Sequence, residues 1–344
     1  MQPEFQVNAK QLKEAIKEDI MAGLTPMVAS SPGMGKSDIV RSVAKDGQLK
    51  VIDLRISQCE PVDMQGYPGT TDKGRMTFYP PEYFPLENDP IPTNYKGWIL
   101  FLDELNSGNK QTEAACYKLI LDRAVYMHKL HPMCFIVAAG NLSTDRAIVN
   151  TQSTATRSRL THYEMVVDSN AWIDWANENL LDHRVISFIK FKPSILHKFD
   201  PALNELTFPC PRTWEFASKM VSSKPIIDSL TKIRLAGTVG EGAAVEFSTF
   251  TQIYQNLPKI EDIKKDPSSG WRVPTEPSEK YAVTTMLAHN IDEDNIEHMI
   301  KAVNRLPMDF RVITFRDIYK RSPNLRKHPV ILDWISNNSS VLFD

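Results

Sequence analysis

The chain has 344 residues, 42% of them hydrophobic and 24% charged, with a formal net charge of -2. That length suits two domains rather than one small core. The composition excludes a disordered or fibrous protein, and the near-neutral balance supplies no overall basic field for gripping nucleic acid. No apolar run approaches the roughly 18 residues of a membrane span, and residues 1–5 lack the basic-then-apolar start of a signal peptide, so a cytoplasmic location without membrane contact is expected. The four cysteines, Cys59, Cys116, Cys134 and Cys210, are scattered without a C-x-x-C pair, which argues for free thiols rather than a zinc site or a disulfide scaffold.

In chain order, Asn8 and Gln11 have the form of a helix start, and Leu12, Ala15, Ile16 and Ile20 recur at helical spacing until Gly23. Met27-Val28-Ala29 then reads as a short strand. It feeds the turn Ser30-Ser31-Pro32-Gly33-Met34-Gly35, after which Lys36-Ser37 opens a helix patterned by Ile39, Val40, Val43 and Ala44. Strand, glycine loop and helix in this order form a phosphate cradle. Gly33 and Gly35 let the backbone turn tightly, so that its amides and the helix N-terminus can surround a triphosphate. Lys36 would reach the β- and γ-phosphates, and Ser37 would ligate Mg²⁺. Ser31, Pro32, Gly33, Met34, Gly35, Lys36, Ser37 and Ile39 are thus the candidate nucleotide-binding residues. The motif calls for Gly at its first position, where this chain has Ser30; that position closes the loop against the strand and carries no catalytic group.

Residues 50–56 read as a second strand, and the β-loop-α-β order implies a parallel sheet. Residues 57–97 are irregular and rich in Pro and Gly, with residues 71–77 as the tip of a hairpin. The aromatics there either pack the loop onto the domain or meet a partner. Trp98-Ile99-Leu100-Phe101-Leu102 is a strand buried on both faces, ending in Asp103 and Glu104 at the sheet edge where ligands bind. Asp103 would hold Mg²⁺, and Glu104 would polarise a water for attack on the γ-phosphate.

A helix is expected over 110–122 and a small hairpin over 124–131, with His128, Lys129 and His131 as exposed residues near its tip rather than metal ligands. Residues 134–141 form the next buried strand, which brings Asn141 to the edge occupied by Asp103. A fifth strand covers 163–167, preceded by Arg157 and Arg159. Helical patterns follow around Trp172 and Val185, and the domain boundary is expected near residue 200. The remainder reads as helices around Trp214, Phe247 and Tyr281, separated by a polar break over 259–277.

With these segments in one order, the chain resembles the AAA+ ATPases and within them the MoxR branch. Ile56-Ser57-Gln58, Asp63-Met64-Gln65-Gly66, Phe101 to Asn106, Ala139-Gly140-Asn141 and Thr144-Asp145-Arg146-Ala147 look like that branch's text. Val239 to Ala244 and Arg305-Leu306-Pro307 extend the likeness into the second half. The resemblance implies an α/β core of five parallel strands over 1–200, an α-helical lid over 201–344, and a ring, usually a hexamer. It further implies Asn141 as sensor 1, Arg159 as the finger entering a neighbour's site with Arg157 or Arg146 as alternatives, and Arg212 as the sensor 2 arginine. The irregular stretch after strand two and the hairpin around His128 match insertions that line the ring's pore. ATP and Mg²⁺ are the implied cofactors. Such proteins remodel partner proteins, often with a von Willebrand factor A domain protein; a motor or loader on DNA and a switch with little turnover are the alternatives. The chain departs from the family at Ser30 and at Leu160, where an aromatic usually follows the finger arginine.

Overall fold

The computed structural model of the chain describes residues 5–142, 157–203, 205–224, 226–253 and 257–338. Two compact units emerge, one comprising Met1–Val167 with Asp200–Ala202 and the other Asp168–Phe199 with Leu203–Asp344. The division therefore falls after Val167 rather than near residue 200. The reason is packing: Trp172, Ile173, Val185 and Phe188 share one core with Trp214 and Phe247.

In the first unit the strands are β1 (Gln6–Val7), β2 (Pro26–Ser30), β3 (Leu49–Arg55), β4 (Tyr67–Thr70), β5 (Met76–Tyr79), β6 (Gly97–Asp103), β7 (Ala124–Val125), β8 (His128–Lys129), β9 (Cys134–Asn141) and β10 (Thr161–Met165). The helices are α1 (Ala9–Met21), α2 (Lys36–Gly47), α3 (Pro61–Gln65) and α4 (Lys110–Asp122). The main sheet runs β1-β10-β2-β9-β6-β3 with every pairing parallel. It has six strands where five are expected. The extra one is the two-residue β1, which pairs with the end of β10 at the sheet edge.

Period-two alternation explains the layering. Leu100 and Leu102 of β6 and Ile136 and Ala138 of β9 face a core shared with Ala115, Cys116 and Leu119 of α4. Their neighbours Ile99, Phe101, Val137 and Ala139 face the opposite core, with Leu12 and Ile16 of α1 and Val40 and Val43 of α2. A strand apolar at every position must be covered on both faces, so the sheet is sandwiched between helices. The start of α1 is fixed by a capping box in which Asn8 Oδ1 accepts from Gln11 N at 2.9 Å and Gln11 Oε1 accepts from Asn8 N at 3.0 Å.

The irregular stretch contains the antiparallel hairpin β4–β5, and the second hairpin is β7–β8. His128 and His131 are half-buried and pinned rather than exposed at a tip. His128 Nε2 lies 3.1 Å from Phe78 O, tying the two hairpins together, and the His131 ring packs on Trp98. The turn of the second hairpin is Tyr126-Met127, and Tyr126 packs against Phe78 with ring centroids 4.6 Å apart. Among the described residues, no group of three or more His, Cys, Asp or Glu could hold a metal.

The second unit is helical. Phe188, Trp214 and Phe247 centre one core, and Val283, Leu287, Met299 and Phe315 a second. Trp214 Nε1 donates to Ile195 O at 3.0 Å, so its buried indole leaves no donor unmatched. The polar break contains one further helix, Ile260–Lys265, anchored by the single buried Ile263. All four cysteines are free. No helix among the described residues is long and apolar enough to cross a membrane.

Candidate functional site

The site grows from the carboxyl end of β2. Ser30, the last residue of that strand, pairs in register with Asn141 of β9, and on the next strand Leu102 pairs with Ala138, which carries Asp103 to the same edge. The loop that follows β2 turns at Gly33 and Gly35, with φ of 75° and 90°. Both lie in the left-handed region that a side chain disfavours, and Gly35 is the residue from which α2 starts. The first turn of α2 therefore presents its amides and positive dipole end to the loop.

Lys36 Nζ donates to Ser30 O and Ser30 Oγ, both at 3.0 Å, and approaches Asn141 Oδ1 at 3.4 Å. Ser37 Oγ donates to Asp103 Oδ2 at 3.0 Å, while Asp103 Oδ1 accepts from Glu104 N at 2.9 Å. Asp103 is thus oriented through both oxygens. A hydroxyl and a carboxylate side by side are hard oxygen donors, which fit a Mg²⁺ whose other ligands are phosphate and water. Glu104 adopts a left-handed backbone, φ 55°, where β6 gives way to a short 3₁₀ turn. Its Oε2 accepts a hydrogen bond from Ser57 Oγ, on the turn that follows β3.

Of the expected loop residues, Ser31, Pro32 and Gly33 are half-buried along the turn. The Met34 side chain is buried in the core beneath α2, so only its backbone faces the loop, and Ile39 packs against the same core. Arg159 is exposed, two residues before β10. Thr161 pairs with Pro26, at the start of β2, so Arg159 lies beyond the amino edge of the sheet. The four residue steps from Pro26 to Ser30 separate the two edges by roughly 13 Å. Arg157 O lies 2.9 Å from His162 Nε2. Arg212 is exposed on the first turn of the helix Pro211–Val221, in the second unit. Arg146 and the segment 144–147 lie outside the described residues.

Two contributors carry no role from sequence reasoning. Asn106 is buried, and its amide clamps the backbone of Asn141: Nδ2 donates to Asn141 O at 2.8 Å, and Oδ1 accepts from Asn141 N at 3.1 Å. A side chain at Gly140 would bring its Cβ to 2.3 Å from Asn106 Oδ1, so the clamp requires glycine beside it. The second contributor is Ser57. Neither has a spacing signature, because each partner lies far along the chain.

No protein-family model and no curated protein matches this chain. Solved structures do resemble it. A point mutant of Thermotoga maritima RuvB shares 16% identity, with 86% of each chain covered and a TM-score of 0.40. A protein of Cytophaga hutchinsonii described as a candidate ATPase shares 11% identity over 99% of this chain and 91% of that one, with a TM-score of 0.38. The Thermotoga maritima RuvB Holliday junction branch migration motor shares 14% over 85% and 76%, with a TM-score of 0.33. By its own strand order and loop, the first unit is a parallel α/β fold of the P-loop kind, and a helical unit follows it.

Proposed function

We propose that this chain is an ATP-hydrolysing AAA+ motor of the MoxR type that remodels a partner protein as a ring oligomer. The observation that carries the reading is the meeting of Lys36 with Asn141 and of Ser37 with Asp103 at one sheet edge, beside Glu104. Lys36 and the loop amides bind the β- and γ-phosphates, and Ser37 with Asp103 holds the metal side. Mg²⁺, when bound, neutralises charge on those phosphates. Glu104 polarises a water whose oxygen attacks the γ-phosphorus as the bond to the β–γ bridging oxygen breaks, leaving ADP and phosphate. Asn141 orients that water.

Arg159, set at the opposite edge from its own loop, serves as the finger for a neighbouring subunit, and Arg212 as the sensor 2 arginine of the lid. The two hairpins face the client, a protein such as one bearing a von Willebrand factor A domain. Titration calorimetry tests the site: Lys36→Ala is expected to abolish Mg-ATP binding with the circular dichroism of the fold retained. Wild-type affinity in that variant would overturn the assignment.

A further inference from the structure

Ser30 stands where the phosphate-loop motif has glycine, and its side chain is fully buried at the end of β2. Its hydroxyl donates to Ser31 O at 3.0 Å. A hydroxyl has one proton, so the oxygen meets Lys36 Nζ, also at 3.0 Å, with a lone pair. The ammonium has three protons, and three protein oxygens are grouped around it: Ser30 O, Ser30 Oγ and Asn141 Oδ1. Such charge-assisted bonds are stronger than those between neutral groups.

We infer that the Ser30 hydroxyl is a positioning group for Lys36, a seat that competes with the nucleotide's phosphates for the ammonium and weakens ATP binding relative to glycine at that position. This inference rests on the nucleotide-site reading above. A triphosphate engages Lys36 through oxygens of both the β- and γ-phosphates. At least two of the protein contacts must then be surrendered, and if Ser30 O is kept, Ser30 Oγ is one of those lost. A diphosphate offers the β-phosphate alone. It needs one proton, and of these three contacts the longest, to Asn141 at 3.4 Å, yields before the Ser30 hydroxyl. The hydroxyl therefore penalises ATP more than ADP. A glycine keeps the carbonyl but has no hydroxyl to exchange.

The test measures dissociation constants of a non-hydrolysable ATP analogue and of ADP, each with Mg²⁺, by titration calorimetry on wild type, Ser30→Ala and Ser30→Gly. Both variants are expected to bind the ATP analogue about 3- to 10-fold more tightly, with ADP changing by less than about 2-fold. A general loosening or tightening of the loop would move both ligands together. Unchanged or weaker binding of the analogue in the variants, or an equal shift for ADP, overturns the seat while leaving the nucleotide site standing. Absence of nucleotide binding by the wild type removes the site reading and the seat with it. The glycine variant, which carries the motif's own residue, keeps the test decisive if Ser30→Ala does not fold.

Discussion

Asn106 reaches across 35 residues of chain to take both backbone groups of Asn141, and that pairing decides where the Asn141 side chain stands relative to Lys36. Truncating it removes two hydrogen bonds from these half-buried backbone groups, a loss of about 0.5–1.5 kcal/mol for each. On the proposed mechanism the larger effect is on chemistry, because a displaced Asn141 would no longer orient water in the transition state. Asn106→Ala is expected to lower kcat for ATP by roughly 10- to 100-fold while the dissociation constant moves less than about 3-fold. Steady-state phosphate release and calorimetry separate the two. Equal losses in binding and turnover would show that the clamp merely holds the fold. The contiguous residues of the site, 30–37 with Asp103 and Glu104, are legible in the sequence because loop geometry and strand-end position are local properties. Asn106 and Ser57 are not, since a side chain that bonds to a distant strand leaves no periodic trace.

At the scale of elements, β6 and β9 are legible because burial on both faces writes an unbroken apolar run. β1 escapes because two residues carry no pattern, and Ile260–Lys265 because one buried isoleucine sets no period. The helices after Val167 show their helical pattern without showing which unit they join; Trp214 and Phe247, on later helices, decide that. Those helices also carry a proton-linked contact. The His183 and His289 rings sit 5.2 Å apart where the helices His183–Phe191 and Pro277–Asn290 pack, beside Asp182, Arg184 and Arg321. Burial lowers the His183 imidazole to about 4, with Asp182 opposing and His289, Arg184 and Arg321 adding to the shift. Burial also lowers His289.

An unfolded imidazole protonates near about 6.5, so below that pH the unfolded chain takes up protons that these helices refuse. The stability held by the neutral pair is therefore complete above about 6.5 and lost as pH falls towards 4. Urea midpoints of the helical signal are expected to drop between about pH 7.5 and 5. In His183→Gln the drop should be shallower. An identical slope in the two proteins would contradict the linkage.

For the whole molecule, the parallel sheet sets two edges apart. The phosphate loop, Asp103 and Asn141 occupy the carboxyl edge, and Arg159 the amino edge beyond Thr161. On the function proposed above, a finger so placed acts on a neighbour, and turnover is then expected to be a property of the assembly. Phosphate release from Mg-ATP tests this account most directly, measured on wild type, on Glu104→Gln and on a mixture of Arg159→Ala with Lys36→Ala after subunit exchange has been verified by native mass measurement. The wild type is expected to turn ATP over, and Glu104→Gln to bind it and release almost no phosphate. Each variant of the pair should be nearly inactive alone, a finger contributing about 10³ to 10⁵ in rate. Their mixture should recover part of the activity, because one supplies an intact finger and the other an intact loop. Full turnover in Glu104→Gln would contradict the assigned chemistry, and no recovery in the exchanged mixture would contradict its sharing between subunits.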